Sequence, residues 1–243
     1  MSAEPTTPRP ASTVMVVRAA GAGIEVFMAR RSAQSPFMPD AYVFPGGAVD
    51  AADAQPEAIA RLDRVPAGVE PQFAVAAVRE LCEEVGMLLA ARADGLPLEG
   101  REVNAVREVL ASGGRFNDVV AERDLRLTGS AIAYYSRWVT PADVKRRFDT
   151  RFFVARAPAG QTAAADAFEM HDGVWIAPAD ALERGASGEW TLVFPTIRHL
   201  ERLAQFATVE ALFEHAGARR PQPVTPVVGG DGIIRLPLEA DAW

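Results

Sequence analysis

The chain has 243 residues, 49% of them apolar, and a mean hydropathy near zero, so it can bury one sizeable core or two small ones. No apolar run approaches the roughly 18 residues of a membrane span, and no membrane partner is expected. With 25 basic against 32 acidic residues the net charge is −7, and no basic block is present. That balance argues against nucleic acid as a partner and leaves a small phosphorylated, nucleotide-type substrate compatible.

Residues 1–11 are expected to form a flexible tail without the apolar core of a signal peptide, and the cytoplasm is the expected compartment. Residues 12–18 and 24–30 are β-branched or apolar runs around Gly21 and Gly23, a hairpin signal. A short strand at 41–44 stops at Pro45-Gly46-Gly47, where glycines let the backbone approach a ligand. Pro56, Pro66, Gly68 and Pro71 make 48–71 a loop-rich insertion with one helical turn at 57–62. A helix is predicted from about 72 to 85, closed by Gly86. Short helices are predicted at 102–111 and 117–123, then strands near 131–140, 150–156 and 174–176. A helix at about 179–184 and a longer one at 196–213 follow, with a late strand at 232–236. Strands alternating with helices give an α/β chain, with no internal repeats.

Glu80, Glu83 and Glu84 carry the most information. At about 100° per residue they fall within roughly 100° of one another on one helix side. Ala74, Val78, Leu81, Cys82 and Val85 occupy the other side and give the helix a face to bury. Carboxylates three and four residues apart repel by a few tenths of a kcal/mol per pair. A hard divalent cation explains such a cluster, since Mg²⁺, Mn²⁺ and Ca²⁺ prefer oxygen donors; a solvated acidic face explains it too. Cys82, the only cysteine, is expected to be a packed thiol. His171, His199 and His215 lack ligand spacing and are expected at the surface or in helix packing, and Trp175 in the core. Arg147, Asp149 and Arg151 alternate on one face of a strand with Phe148 and Phe152 opposite. An internal Arg–Asp pair is the favoured reading of that face, and a substrate wall is the alternative.

Upstream of the glutamates stand Phe44-Pro45-Gly46-Gly47 and the acid Asp53, and the glutamates lie in Arg79-Glu80-Leu81-Cys82-Glu83-Glu84-Val85-Gly86-Met87. Together these segments resemble the Nudix box: Gly, five residues, Glu, seven residues, then Arg-Glu-aliphatic-any-Glu-Glu-any-Gly-aliphatic. Residues 79–87 match the second half at every specified position. The first half departs twice, because Asp53 replaces the Glu and residues 54–78 replace the seven-residue spacer. The interrupted box resembles the coenzyme A diphosphatase branch of the family. So do the run 37–47, Trp138-Val139-Thr140-Pro141 and the run 147–153.

This resemblance implies the Nudix fold, a mixed β-sheet sandwiched between α-helices. It would span 12–215, with an insertion at about 54–71 inside the box and a C-terminal extension at 216–243. It implies hydrolysis of a phosphoanhydride bond with Mg²⁺ or Mn²⁺. The favoured substrate is CoA or acyl-CoA, giving 4′-phosphopantetheine and adenosine 3′,5′-bisphosphate. Glu80, Glu83 and Glu84 are the implied metal ligands and catalytic carboxylates, completed by the Gly46 carbonyl. Arg79 is implied to bridge to the box loop through a carboxylate such as Asp53. Arg30, Arg31 and Arg151 are candidates for gripping a substrate phosphate, and Phe44 and Gly47 for lining the site. Glu169 is a candidate extra acid. Two alternatives stand beside this reading: hydrolysis of ADP-ribose, nucleotide sugars or dinucleotides, and a ligand-sensing module without catalysis. The complete glutamate set argues against the latter. A homodimer is left open.

Overall fold

In the computed structural model, which describes residues 6–21, 23–35, 38–163, 170–231 and 234–237, strand β1 (Arg9–Ala20) is buried on both of its faces. Val14 and Val16 point to one side and Met15 and Val17 to the other, each with no exposed surface. A strand apolar on both sides needs a layer over each side.

The β1 strand turns into β2 (Gly23–Arg31), forming the predicted hairpin. Two short strands follow, β3 (Tyr42–Val43) and β4 (Gly46–Ala48). Helices α1 (Pro56–Ile59) and α2 (Pro71–Val85) come next, then β5 (Ala90–Ala91), α3 (Gly100–Ala111), α4 (Phe116–Glu122) and β6 (Arg126–Leu127). The chain re-enters the sheet through β7 (Ile132–Val139), β8 (Phe148–Arg156) and β9 (Met170–Ile176). It then forms α5 (Pro178–Ala186), α6 (Phe194–Leu203) and α7 (Val209–Gly217), and ends in β10 (Pro223–Val224), β11 (Val227–Val228) and β12 (Ile234–Arg235).

Eight strands share one sheet in the order β10-β7-β8-β1-β2-β3, with β4 also on β1 and β9 on β2. The β1–β8 and β7–β10 pairs are parallel and the others antiparallel, so the sheet is mixed. Over one face lies a core holding Phe73, Leu81 and Val85 of α2 together with Val103 and Val119. Over the other lies a core holding Leu200, Leu203 and Leu212 of α6 and α7. This is the expected α/β sandwich.

Helix α2 starts with Pro71 at its first position, where the missing N–H is no loss, and ends at Gly86 with φ 65°. The Gly86 N–H donates to the Cys82 carbonyl at 3.0 Å. Cys82 is buried as expected, and burial pushes its thiol up to about 12.

Several boundaries differ from expectation. The tail is shorter, because Arg9 already pairs with Phe148 in the β1–β8 ladder. The single helix expected at 196–213 is two, because the Thr208 hydroxyl accepts from the Ala211 N–H at 3.1 Å and caps a new start. The insertion is pinned as well as looped. Asp63 donates its N–H to the Leu127 carbonyl at 3.0 Å and accepts from the Ser130 N–H at 2.9 Å, while Arg61 holds Asp124 at 2.6 Å. The C-terminal extension adds β10 to the sheet edge and buries Val224. Of the late strand, Ile234 and Arg235 are paired with β11, and Gly232 lies outside the described residues. Trp175 is half-buried rather than central, with the Arg18 guanidinium 4.4 Å above its ring.

Candidate active site

Strand β4 runs between β1 and α2, and its two glycines make that approach sterically feasible. Gly46 pairs with Thr13 and Gly47 with Ser12. A side chain on Gly46, whose φ is 154°, would run into the Ser12 carbonyl oxygen and the Thr13 backbone. On Gly47 a Cβ would stand 2.6 Å from the Glu80 carboxylate. The buried Ser12 hydroxyl donates to the Phe73 carbonyl at 2.8 Å, tying the start of α2 to the same strand.

Arg79 is the hub. Its Nε and Nη2 donate to the two Asp53 oxygens, each at 2.9 Å, and Nη2 also donates to the Ala48 carbonyl at 2.9 Å. Its Nη1 donates to Glu80 Oε1 at 2.7 Å and to Glu83 Oε2 at 2.9 Å. The anticipated bridge to the box loop is therefore present despite the shorter Asp side chain. Reach is recovered because Asp53 sits in a 3-10 turn (Ala51–Ala54), fully buried, and its Oδ2 also accepts from the Asp50 N–H at 2.8 Å. Glu84 faces the other way: its Oε2 accepts from the Gly46 N–H at 2.7 Å, locking the glycine turn to the helix.

Charge in this pocket is unbalanced, with Asp53, Glu80 and Glu83 bonded to the Arg79 guanidinium and Asp50 4.0 Å from it. Burial raises Glu80 to about 7 even though Arg79 draws it down, and burial raises Glu83 against the same pull. Burial also works against the Arg79 charge, and the Asp53, Glu80 and Glu83 carboxylates more than restore it. Buried oxygen donors carrying surplus negative charge suit a hard divalent cation such as Mg²⁺ or Mn²⁺. Among the described residues no three acidic, imidazole or thiol groups already converge on one point. Arg79 bonds one oxygen of Glu80 and one of Glu83, so a cation can take the other oxygen of each.

Beside the glycines a cleft of about 310 Å³ opens on the sheet face opposite α2. Gly46, whose N–H is bonded to Glu84, and Thr13 line it together with Phe44, Trp138, Phe148 and Phe152. Arg31 stands at its edge, with its Nε donating to the Ser35 hydroxyl at 3.3 Å. The other two arginine candidates are placed elsewhere. Arg30 pairs with Asp172 at 2.6 Å and Asp40 at 3.5 Å. Arg151 is buried on the α2 side, 2.6 Å from Asp149 and stacked over Phe73 at 4.0 Å. The alternation along β8 puts Phe148 and Phe152 in the cleft and Arg151 behind it, so Arg151 is part of the internal pair and does not reach the cleft. Glu169 lies outside the described residues.

His199 is fully buried behind the cleft wall, its ring 4.1 Å from that of Phe152. The apolar cleft itself was missed in the sequence. Its walls come from β7, β8, α6 and the C-terminal segment, and only the valines at 227 and 228 with Ile234 hinted that the extension had something to cover.

No protein-family model matches the chain. It is similar to a solved Nudix hydrolase from Alicyclobacillus acidocaldarius, at 31% identity and a TM-score of 0.78, covering 86% of this chain and 96% of that one. It is also similar to acyl-coenzyme A diphosphatase NUDT19 of Gallus gallus, at 29% identity over 87% of this chain and 71% of the relative. The Homo sapiens protein of the same name is 28% identical over 88% of this chain and 71% of its own length.

Proposed function

This chain belongs to the Nudix hydrolases, and from that premise we propose that it is a divalent-metal-dependent diphosphatase whose substrate is CoA or acyl-CoA. The observation that carries the reading is the meeting of two surfaces at Gly46. Its N–H is bonded to Glu84 of the acidic helix, and the same glycine lines the apolar cleft. A substrate with a diphosphate joined through a long arm to an apolar group fits that juxtaposition. The relatives named acyl-coenzyme A diphosphatase support the choice.

Glu80, Glu83 and Glu84 would hold the Mg²⁺ or Mn²⁺, which supplies charge neutralisation on the diphosphate and acidifies bound water. Arg79 keeps the two halves of the box together through Asp53 and Ala48, so the glutamates stay in place when charge develops. Gly47 leaves the Glu80 carboxylate room beside β4, where it can take the proton of an attacking water. Arg31, which borders the cleft, would pair with a substrate phosphate.

The test is a product assay with Mg²⁺ or Mn²⁺ over CoA, acyl-CoA, ADP-ribose and a dinucleotide polyphosphate, scored by kcat/KM. Release of 4′-phosphopantetheine and adenosine 3′,5′-bisphosphate with the highest kcat/KM supports the reading. Equal or better turnover of ADP-ribose refutes the substrate and leaves the diphosphatase chemistry in place.

A further inference from the structure

The cleft has a rim as well as walls. Met38, Val144, Val228 and Ile234 are aliphatic or thioether side chains, 36% to 46% exposed, and all four border the cleft. Exposed apolar side chains scattered singly need no explanation, but several around one concave apolar surface mark a binding groove. Two of the four, with Pro226, come from the segment after β10, so the C-terminal extension forms one side of the groove. Arg31 is the one charged side chain bordering it among the described residues, and it stands with Gly46 among the residues of β2 to β4.

We propose that this groove seats the thioester-linked acyl chain of an acyl-CoA, and that the C-terminal segment carrying Val228 and Ile234 sets how long a chain is accepted. The inference rests on the CoA reading above and goes further, because it separates acyl-CoA from free CoA. Three features select the acyl chain as occupant. Apart from Arg31 and four threonines the lining is apolar, where an adenine would leave ring nitrogens and an amino group short of partners. The rim is aliphatic, which suits a flexible hydrocarbon better than a flat base. Gly46 lines the groove and its N–H is bonded to Glu84, so an arm leaving a diphosphate held by the glutamates leads towards the groove.

The volume of about 310 Å³ is at the small end of ligand pockets, which run from roughly 300 to 1,000 Å³. A chain therefore gains up to roughly fourfold per methylene buried, until the groove is full, and nothing after that. Preference should climb from acetyl through hexanoyl to octanoyl and then level off.

Binding of S-octanoyl-4′-phosphopantetheine and of unacylated 4′-phosphopantetheine to the full-length, metal-free protein would be compared by calorimetry, with kcat/KM for the matching CoA species measured beside it. The octanoyl form should bind at least tenfold tighter. Val228→Asp and Ile234→Asp should each cut that advantage about fivefold or more. Val144→Asp, on another strand connection, serves as the second probe should the C-terminal variants fail to fold. CoA cleaved with no acyl advantage overturns the inference and spares the CoA reading. Weaker binding of adenosine 3′,5′-bisphosphate in the variants, with the acyl arm unaffected, assigns the groove to the nucleotide and also overturns it. No turnover of any CoA species removes the reading on which the inference stands.

Discussion

Arg79 and Asp53 form a two-pronged pair: Nε and Nη2 of one side chain each lie 2.9 Å from an oxygen of the other, with Asp53 fully buried. Removing the charge from one side of such a pair strands the other in a low-dielectric pocket. Asp53→Asn is therefore expected to lower the unfolding free energy by about 3–5 kcal/mol, read as a drop in the urea midpoint at constant slope. An unchanged midpoint would show that Glu80 and Glu83 alone satisfy the guanidinium.

Gly47→Ala separates the site from the fold. The added Cβ would meet the Glu80 carboxyl, the far end of a flexible side chain, so the backbone can stay where it is. The displaced carboxylate cannot stay beside Arg79 and Gly47. Turnover is expected to fall on the order of a hundredfold, a common cost of about 1 Å of misplacement, while the melting temperature moves by only a few degrees. A large loss of thermal stability with normal kcat in the folded fraction contradicts this.

Glu83→Gln tests the metal. Glu83 is the most exposed of the three glutamates by side chain, at 36%, against 12% for Glu80, and Arg79 retains its other partners without it. The fold should persist in circular dichroism and kcat should fall by roughly a hundredfold to a thousandfold or more, as when a principal electrostatic stabiliser is lost. Excess EDTA should abolish wild-type turnover, and Mn²⁺ or Mg²⁺ should restore it. Full activity in EDTA would remove the cation from the mechanism.

The acidic helix was legible because its signal is local. Three glutamates, an apolar opposite face and Gly86 fix α2 and its cap within one residue of where they fall. The Arg79–Asp53 bridge was legible from the motif alone, although the 3-10 turn that makes the shorter acid reach was not. The cleft was illegible because it is assembled from β7, β8, α6 and the C-terminal segment, whose proximity depends on the parallel β1–β8 and β7–β10 pairings. No local pattern reports a parallel pairing across so much chain. The same gap misplaced Arg151: alternation put it opposite Phe148 and Phe152, but which face meets the cleft was not in the strand itself. The broken helix at 204–208 shows a weaker failure, in which one threonine cap outweighed continuous helical periodicity.

His199 should make the protein acid-labile. Its Nδ1 lies 2.6 Å from the Pro195 carbonyl, which can only accept, so Nδ1 carries the proton. Its Nε2, 2.7 Å from the Ser136 hydroxyl, then accepts from that hydroxyl in the neutral ring. Burial holds the folded imidazole down to about 3, against about 6.5 in an unfolded chain. Between those values the unfolded state binds the extra proton and the folded state does not, so stability falls as pH is lowered from about 6.5 towards 3. The loss from this residue is on the order of a few kcal/mol across the window. His199→Gln keeps a donor and an acceptor but does not titrate. It should be less stable than the parent at pH 7, having lost the stacked contact with Phe152, with the gap closing as pH falls. Urea denaturation of both proteins at pH 7, 5.5 and 4.5 reads the difference directly, and parallel curves would mean that His199 titrates alike in the folded and unfolded chain.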